Sequence, residues 1–240
     1  MRAAKADVDA RYVINFRVEP GVARQMLPVD WLEPQIVNDY AVVSFCPYIL
    51  DAVRLTNVPR KLGITSICSA YRLAVIDHSG TTPRPAAWVP ARQTDANIIS
   101  KLGPRTLRTR FDRVHATITN DTTTDTTHIT INHRTGEPHF RADLHAADKP
   151  RSVLFEQTET FAEFFTAATT SWAPGPISGS VMQLDLDAGA TRYSPLSVTN
   201  LSAPGAGHGA TLDSAFIGIG GSYCWSCAGI REQPPTATAA

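Results

Sequence analysis

Alternation of apolar and polar side chains is the main signal along this chain. Tyr12, Ile14, Phe16 and Val18 interleave with Val13, Asn15 and Arg17, the two-residue period of a strand with two different faces. A β-favouring run over 41–45 ends at Cys46-Pro47, and residues 64–76 and 106–118 read as long strands. Residues 126–132 and 139–145 flank Thr135-Gly136-Glu137-Pro138, a turn sequence that predicts a hairpin. Further strands are predicted over 181–186, 191–198 and 215–228. Helical spacing is scarce. The best case spans 160–170, where Thr160 and Glu163 have capping-box spacing and Phe161, Phe164, Phe165 and Ala168 form one apolar stripe. Shorter helices are predicted near Pro20 and over 95–101. Short strands this close together, with one substantial helix late in the chain, predict a mainly β (α+β) fold built on an antiparallel sheet closed on itself. No internal repeat or domain boundary is visible. The reading is a flexible arm over 1–10, one domain over 11–231 and a disordered tail over 232–240. Residues 120–127 and 202–210 read as loops, the second mobile.

Composition narrows the function more than the fold. Of 240 residues, 43% are hydrophobic and 18% charged, enough for a sizeable core. Twenty-two basic residues balance 22 acidic ones, so nothing resembles a nucleic-acid or membrane-surface footprint. No apolar run approaches the roughly 18 to 20 residues of a membrane span. The polar N-terminal residues lack a signal-peptide core, and four cysteines are too few to staple such a domain, so a reducing cytoplasm is expected. The basic set is lopsided, with 18 arginines and four lysines.

Several segments in order carry a resemblance. They are Tyr12-Val13-Ile14-Asn15-Phe16-Arg17-Val18-Glu19-Pro20 with Leu27-Pro28, Trp31-Leu32-Glu33-Pro34, Ala41-Val42-Val43-Ser44-Phe45 and Tyr71-Arg72-Leu73-Ala74-Val75. Phe161-Ala162-Glu163-Phe164-Phe165 and a terminal strand with Tyr223 and Trp225 complete the set. Each motif is weak alone; order and spacing carry the weight. Together, over roughly residues 11–230, they resemble the uncharacterised YqjF-like family, related to the acetoacetate decarboxylases. The resemblance implies a cone-like antiparallel β-barrel with a few flanking helices and a pocket inside the cone.

Departures from that pattern bear on chemistry. Acetoacetate decarboxylases form a Schiff base through a lysine in a Pro-Lys-Lys context, where a neighbouring ammonium keeps the reactive amine neutral. The corresponding stretch here, Gly103-Pro104-Arg105-Thr106-Leu107-Arg108-Thr109-Arg110, holds arginines and no lysine. A guanidinium stays protonated and forms no imine. Lys101, at the end of a predicted helix, is the one lysine near this region. Arg110 stands at about the place of the decarboxylase lysine; a solvated cluster with Arg105, Arg108 and Arg113 is the plainer reading. Relatives carry a glutamate and an asparagine ahead of Arg72, where this chain has Ile67-Cys68-Ser69-Ala70-Tyr71. Ser66, Cys68, Ala70 and Arg72 share one strand face. If that face lines the cone, Arg72 can anchor a carboxylate; otherwise it pairs with a structural acid or reaches solvent.

Other constellations are weaker. Cys224-Trp225-Ser226-Cys227 has CxxC spacing, but on a strand the two sulfurs point to opposite faces, so inert thiols are expected rather than half a zinc site. His139, Arg141, Asp143 and His145 share a face that reads as the wet side of an amphipathic strand. His208 lies in a Gly-rich loop, Gly218, Gly220 and Gly221 complete no dinucleotide fingerprint, and Ser180 lacks a nucleophile elbow. The expectation is a small-molecule-binding barrel that holds a small organic acid through Arg72 and Arg110, with Cys68 beside them. It uses no imine, metal or cofactor and has no nucleic-acid or membrane partner; a homo-oligomer is left open. The alternatives are a decarboxylase or related lyase using Lys101, and a structural protein with a filled barrel.

Overall fold

The structure is a computed structural model and describes residues 3–232. In chain order it comprises β1 (Ala3–Val18), α1 (Pro20–Gln25), β2 (Leu32–Pro34), β3 (Ile36–Val37), β4 (Tyr40–Leu55), β5 (Ile64–Asp77), β6 (Arg84–Trp88), β7 (Arg92–Thr94), α2 (Asn97–Thr106), β8 (Phe111–Asp121), β9 (Thr126–His133) and β10 (Pro138–Ala146). Then follow α3 (Thr158–Ala167), β11 (Thr170–Pro174), β12 (Ser180–Ala188), β13 (Arg192–Ser202), β14 (Thr211–Ile219) and β15 (Ser222–Glu232).

All the strands belong to one sheet that closes on itself through twelve of them, from β1 by way of β14, β13, β10, β9, β8, β7, β5, β6, β11 and β12 to β15 and back. Strand β4 pairs with both β1 and β5 and so crosses this ring as a chord. The chord divides the barrel into two circuits that share β1, β4 and β5. The expected closed β architecture is present, but the sheet is mixed rather than purely antiparallel: β7 and β8 run parallel, as do β6 and β11. A parallel pair needs a crossover connection, and α2 supplies it between β7 and β8.

The circuit holding β8, β9 and β10 is packed with side chains. Ile14, Phe16, Phe45, Leu73, Ile129, Ile131, Phe140 and Leu144 form its core, with the Phe45 and Phe140 rings stacked 4.2 Å apart. These are the apolar phase of the alternation read along each strand. In the other phase, Val13, Val42, Cys46, Ala74 and Phe216 receive Phe161 and Phe165 of α3. Phe161 lies flat on Phe216 at 3.8 Å.

Several boundaries differ from expectation. The arm expected over 1–10 is, from Ala3 on, the first half of β1, paired with β15 and β4. Its polar look comes from residues on the outer phase; Ala6 and Val8 are buried. Residues 233–240, most of the expected tail, lie outside the described residues. Cys46-Pro47 does not end β4, which runs on to Leu55. Residues 106–110, expected as strand, instead end α2 and lead into β8, because α2 continues through Pro104 to Thr106. Helix α3 begins at Thr158, and its N-cap Gln157 makes no side-chain capping bond, so the Thr160/Glu163 box is not used. Residues 202–210 include a 3-10 turn, Pro204–Ala206, with Gly205 pressed against the Tyr71 ring: an added Cβ there would lie within 3 Å of two ring carbons.

Candidate functional site

The phase of β1, β4, β5 and β7 that faces away from the packed circuit carries the chemistry. Registry fixes which side chains meet, because directly paired residues on antiparallel strands share a face. Arg11 pairs with Tyr48, Tyr48 with Cys68, and Cys68 with Thr94, one row across four strands. The next row includes Cys46, Ala70 and Arg92; the row beyond holds Asn15, Ser44 and Arg72. The bulge of β1 between Val8 and Ala10 switches the phase of this strand, so Ala6 and Val8 lie on the same face as Arg11.

Three arginines therefore share one face, two of them close together. Arg11 and Arg72 are buried, and each guanidinium carbon lies 4.2 Å from the centroid of the same ring, Phe165 of α3. The two charges are thus at most twice that distance apart. Arg11 donates from Nη1 to the Tyr223 hydroxyl at 2.6 Å. Arg92 donates from Nη2 to Ser171 Oγ at 3.1 Å, and its buried Nη1 has no hydrogen-bond partner among the described residues. Among the described residues no carboxylate forms an ion pair with Arg11, Arg72 or Arg92, whereas Arg17, Arg24, Arg84 and Arg110 each have one and Arg60 has two. Burial pushes the Arg92 guanidinium down to about 10, opposed in part by Tyr48 and Cys227, so it remains a cation at neutral pH. Burial also lowers Arg72, and the like charge of Arg11 adds to the effect.

Beside this face lies a cavity of about 300 Å³. Tyr48, Leu50, Cys68, Ser69, Arg92 and Gln93 contribute from the sheet; Ile98, Ile99, Leu102 and Gly103 contribute from α2, with Phe111 and Trp225 completing the wall. None of its lining residues is a lysine, an aspartate or a glutamate. Gly103 matters to this wall, because a Cβ there would come within 2.9 Å of the Phe111 ring. Burial pushes the Cys68 thiol and the Tyr48 phenol upward, so both are neutral donors at physiological pH.

The residues singled out in the sequence divide accordingly. Cys68 lines the cavity. Arg72 shares its face but sits beneath Phe165, outside the cavity lining. Arg110 is not part of this site: its side chain is 69% exposed and holds Asp112 at 2.7 Å. It falls in the short link after α2, where no neighbouring strand turns it inward. Lys101 is exposed on α2 and does not line the cavity. Arg92 and Arg11 were missed. Arg92 sits on a three-residue strand too short to show a period. Arg11 stands at the start of the recognised alternation, and reading that alternation one residue back was the available signal.

The other constellations resolve without joining the site. Cys224 and Cys227 are free thiols paired in register with Asp187 and Leu184, which leaves them on opposite faces. The expected common face of His139 with Arg141, Asp143 and His145 is broken by a bulge at the start of β10. His139 turns onto Phe45 and Tyr71, while His128 and Asp143 pair at 2.7 Å on the outer side. Among the described residues no group of three His, Cys, Asp or Glu side chains is placed to hold a metal ion. No helix among them is long and apolar enough to cross a membrane.

Neither a family model nor a curated protein matches the chain. Solved structures do. An acetoacetate decarboxylase-like enzyme from Sphingomonas wittichii RW1 is similar with a TM-score of 0.64 at 12% identity, over 97% of this chain and 94% of that one. Acetoacetate decarboxylase from Legionella pneumophila gives 0.66 at 10% identity, over 94% and 87%. The enduracididine biosynthesis enzyme MppR, solved with pyruvate, gives 0.56 at 13% identity, over 97% and 90%. At these identities the likeness shows the acetoacetate decarboxylase-like fold.

Proposed function

We propose that this chain is a YqjF-like branch of the acetoacetate decarboxylase-like fold that binds a small organic acid by charge and hydrogen bonding, without an imine. The observation that carries the reading is the set of three guanidiniums on one face, with none of which a carboxylate forms an ion pair among the described residues. A buried, unpaired cation costs several kcal/mol, and proteins that keep one generally offer it a counter-ion. Arg92 is the cation at the cavity wall, with Tyr48 and Cys68 as neutral donors beside it; Arg72 and Arg11 add positive potential from behind. A carboxylate satisfies Arg92 Nη1 in the way a structural acid would. That MppR was solved with pyruvate makes a keto acid a natural first ligand to try. An exposed Lys101 lacks the enclosed setting that suits an imine-forming lysine. Four free cysteines suit a reducing compartment such as the cytoplasm.

Thermal shift with pyruvate, acetoacetate and simple alkanoates tests the reading, since a ligand of the native state raises apparent stability by mass action. Stabilisation by an acid that disappears in Arg92→Met supports it; equal stabilisation of the variant overturns it. Borohydride with the same keto acids is expected to leave the mass of the protein unchanged. A covalent adduct on Lys101 restores the lyase alternative.

A further inference from the structure

The same cavity says more about the acid than that it is anionic. Resting on the organic-acid reading, we infer that the ligand is an amphiphilic monocarboxylate, a medium-length apolar acid whose carboxylate meets Arg92 and Tyr48 and whose tail runs out along α2.

Three observations set this class. The first is capacity. About 300 Å³ is room for roughly ten water-sized groups, at the ~30 Å³ each occupies in the liquid, which exceeds the six heavy atoms of a pyruvate-sized acid. The second is the distribution of polarity. Arg92 is half-buried with an unpartnered Nη1, and the remaining wall is dominated by side chains such as Leu50, Ile64, Ile99 and Trp225. The other cation on the wall, Arg54, is turned onto its own strand by a 2.6 Å bond from Nη1 to the Ala52 carbonyl. One buried guanidinium nitrogen without a partner suits one carboxylate, and a second acid group further out would face the apolar rim. The third is the mouth. Leu55, Leu62, Ile98 and Leu102 all line the cavity and are all substantially exposed, Leu62 by 65% and Ile98 by 52%. They make up half of the large apolar side chains that stand exposed among the described residues. An apolar rim above a cationic floor orients an amphiphile with its charge inward. Helix α2 buries none of its own residues, so its apolar side is available to the tail.

Calorimetric titration of the full chain with acetate, butanoate, hexanoate and octanoate tests the inference. Affinity is expected to tighten by about two- to fourfold per added methylene, the upper figure being that for a fully buried one. Octan-1-ol is expected to bind at least tenfold more weakly than octanoate, and Arg92→Met to remove that difference. Leu102→Ser, at an exposed position where folding is not at stake, is expected to flatten the chain-length series. A flat or falling series, with short-acid binding still dependent on Arg92, overturns the amphiphile and leaves the organic-acid reading standing. Equal binding of octanol and octanoate overturns the charge-inward orientation. Absence of binding at every length, with Arg92→Met identical to the parent, overturns both readings. A flat series accompanied by a dimer that Leu62→Glu dissociates assigns the rim to a second copy of the chain and likewise sinks the inference.

Discussion

Asp77 and Arg72 show how differently buried charges are treated within one strand. Asp77 is fully buried, yet its oxygens accept hydrogen bonds from the Ser79 backbone, Trp172 Nε1 and the Arg84 guanidinium. Burial alone would raise this carboxyl, and the bonds outweigh it and hold it below the usual carboxylate range. A depressed carboxyl contributes stability that is complete above its unfolded pKa, about 3.9, and lost as pH falls through the folded value. Asp77→Asn is therefore expected to cost about 2 kcal/mol at neutral pH, the range of a hydrogen-bonded buried charge. In urea titrations that gap should close progressively below about pH 4; a gap constant to pH 2.5 contradicts the assignment. Among the described residues Arg72 has no such hydrogen-bonded partner and lies over the Phe165 face. Replacing an unpaired buried cation by a shape-matched apolar residue is generally neutral or stabilising. Arg72→Met should hold or raise the melting temperature, by roughly 2 to 4 °C per kcal/mol gained in a chain of this size. It should also weaken acid-dependent stabilisation. A large fall in melting temperature would show that Arg72 is structural.

At the scale of elements, α3 closes the face that carries the arginines. Its aromatic stripe was visible in the sequence; its target was not. Phe161 stacks on Phe216 and Phe165 covers Arg11 and Arg72, so one helix serves both packing and electrostatics. Phe161→Ala is expected to cost about 3 to 5 kcal/mol by denaturant unfolding, as for other fully buried aromatic side chains. A loss under 1 kcal/mol would mean that α3 docks loosely. Helix α2 is the contrary case. It has no buried residue and contains Pro104, and its place is set by the crossover from β7 to β8 and by Gly103 against Phe111. Local propensity alone therefore misread residues 106–110 as strand.

For the whole molecule, closure is the organising fact. Strand β1 pairs with β14, β15 and β4 and so belongs to both circuits. Deleting residues 3–10 removes buried Ala6 and Val8 and leaves edges of β15 and β4 unpaired. Such a truncation is expected to lose several kcal/mol and to unfold with a broadened transition by circular dichroism. A cooperative transition at the parental temperature would return this segment to the flexible arm that its composition suggests.

Alternation along β1, β5 and β10 made strands and the grouping of side chains into two faces legible, because a two-residue period is written locally in the side chains; which face turns inward was not. The aromatic stripe of α3 and the shortage of lysine near Gly103–Arg110 were equally local facts. The site itself depended on registry between distant segments. Arg11, Arg72 and Arg92 share a face only because β4 and β5 hold β1 and β7 at fixed offsets, and Arg110, adjacent in the chain to the right region, is carried outward by the end of α2. A one-residue change of offset reverses every side chain on a strand, so only the tertiary structure could decide which arginines lost their contact with water and which kept it.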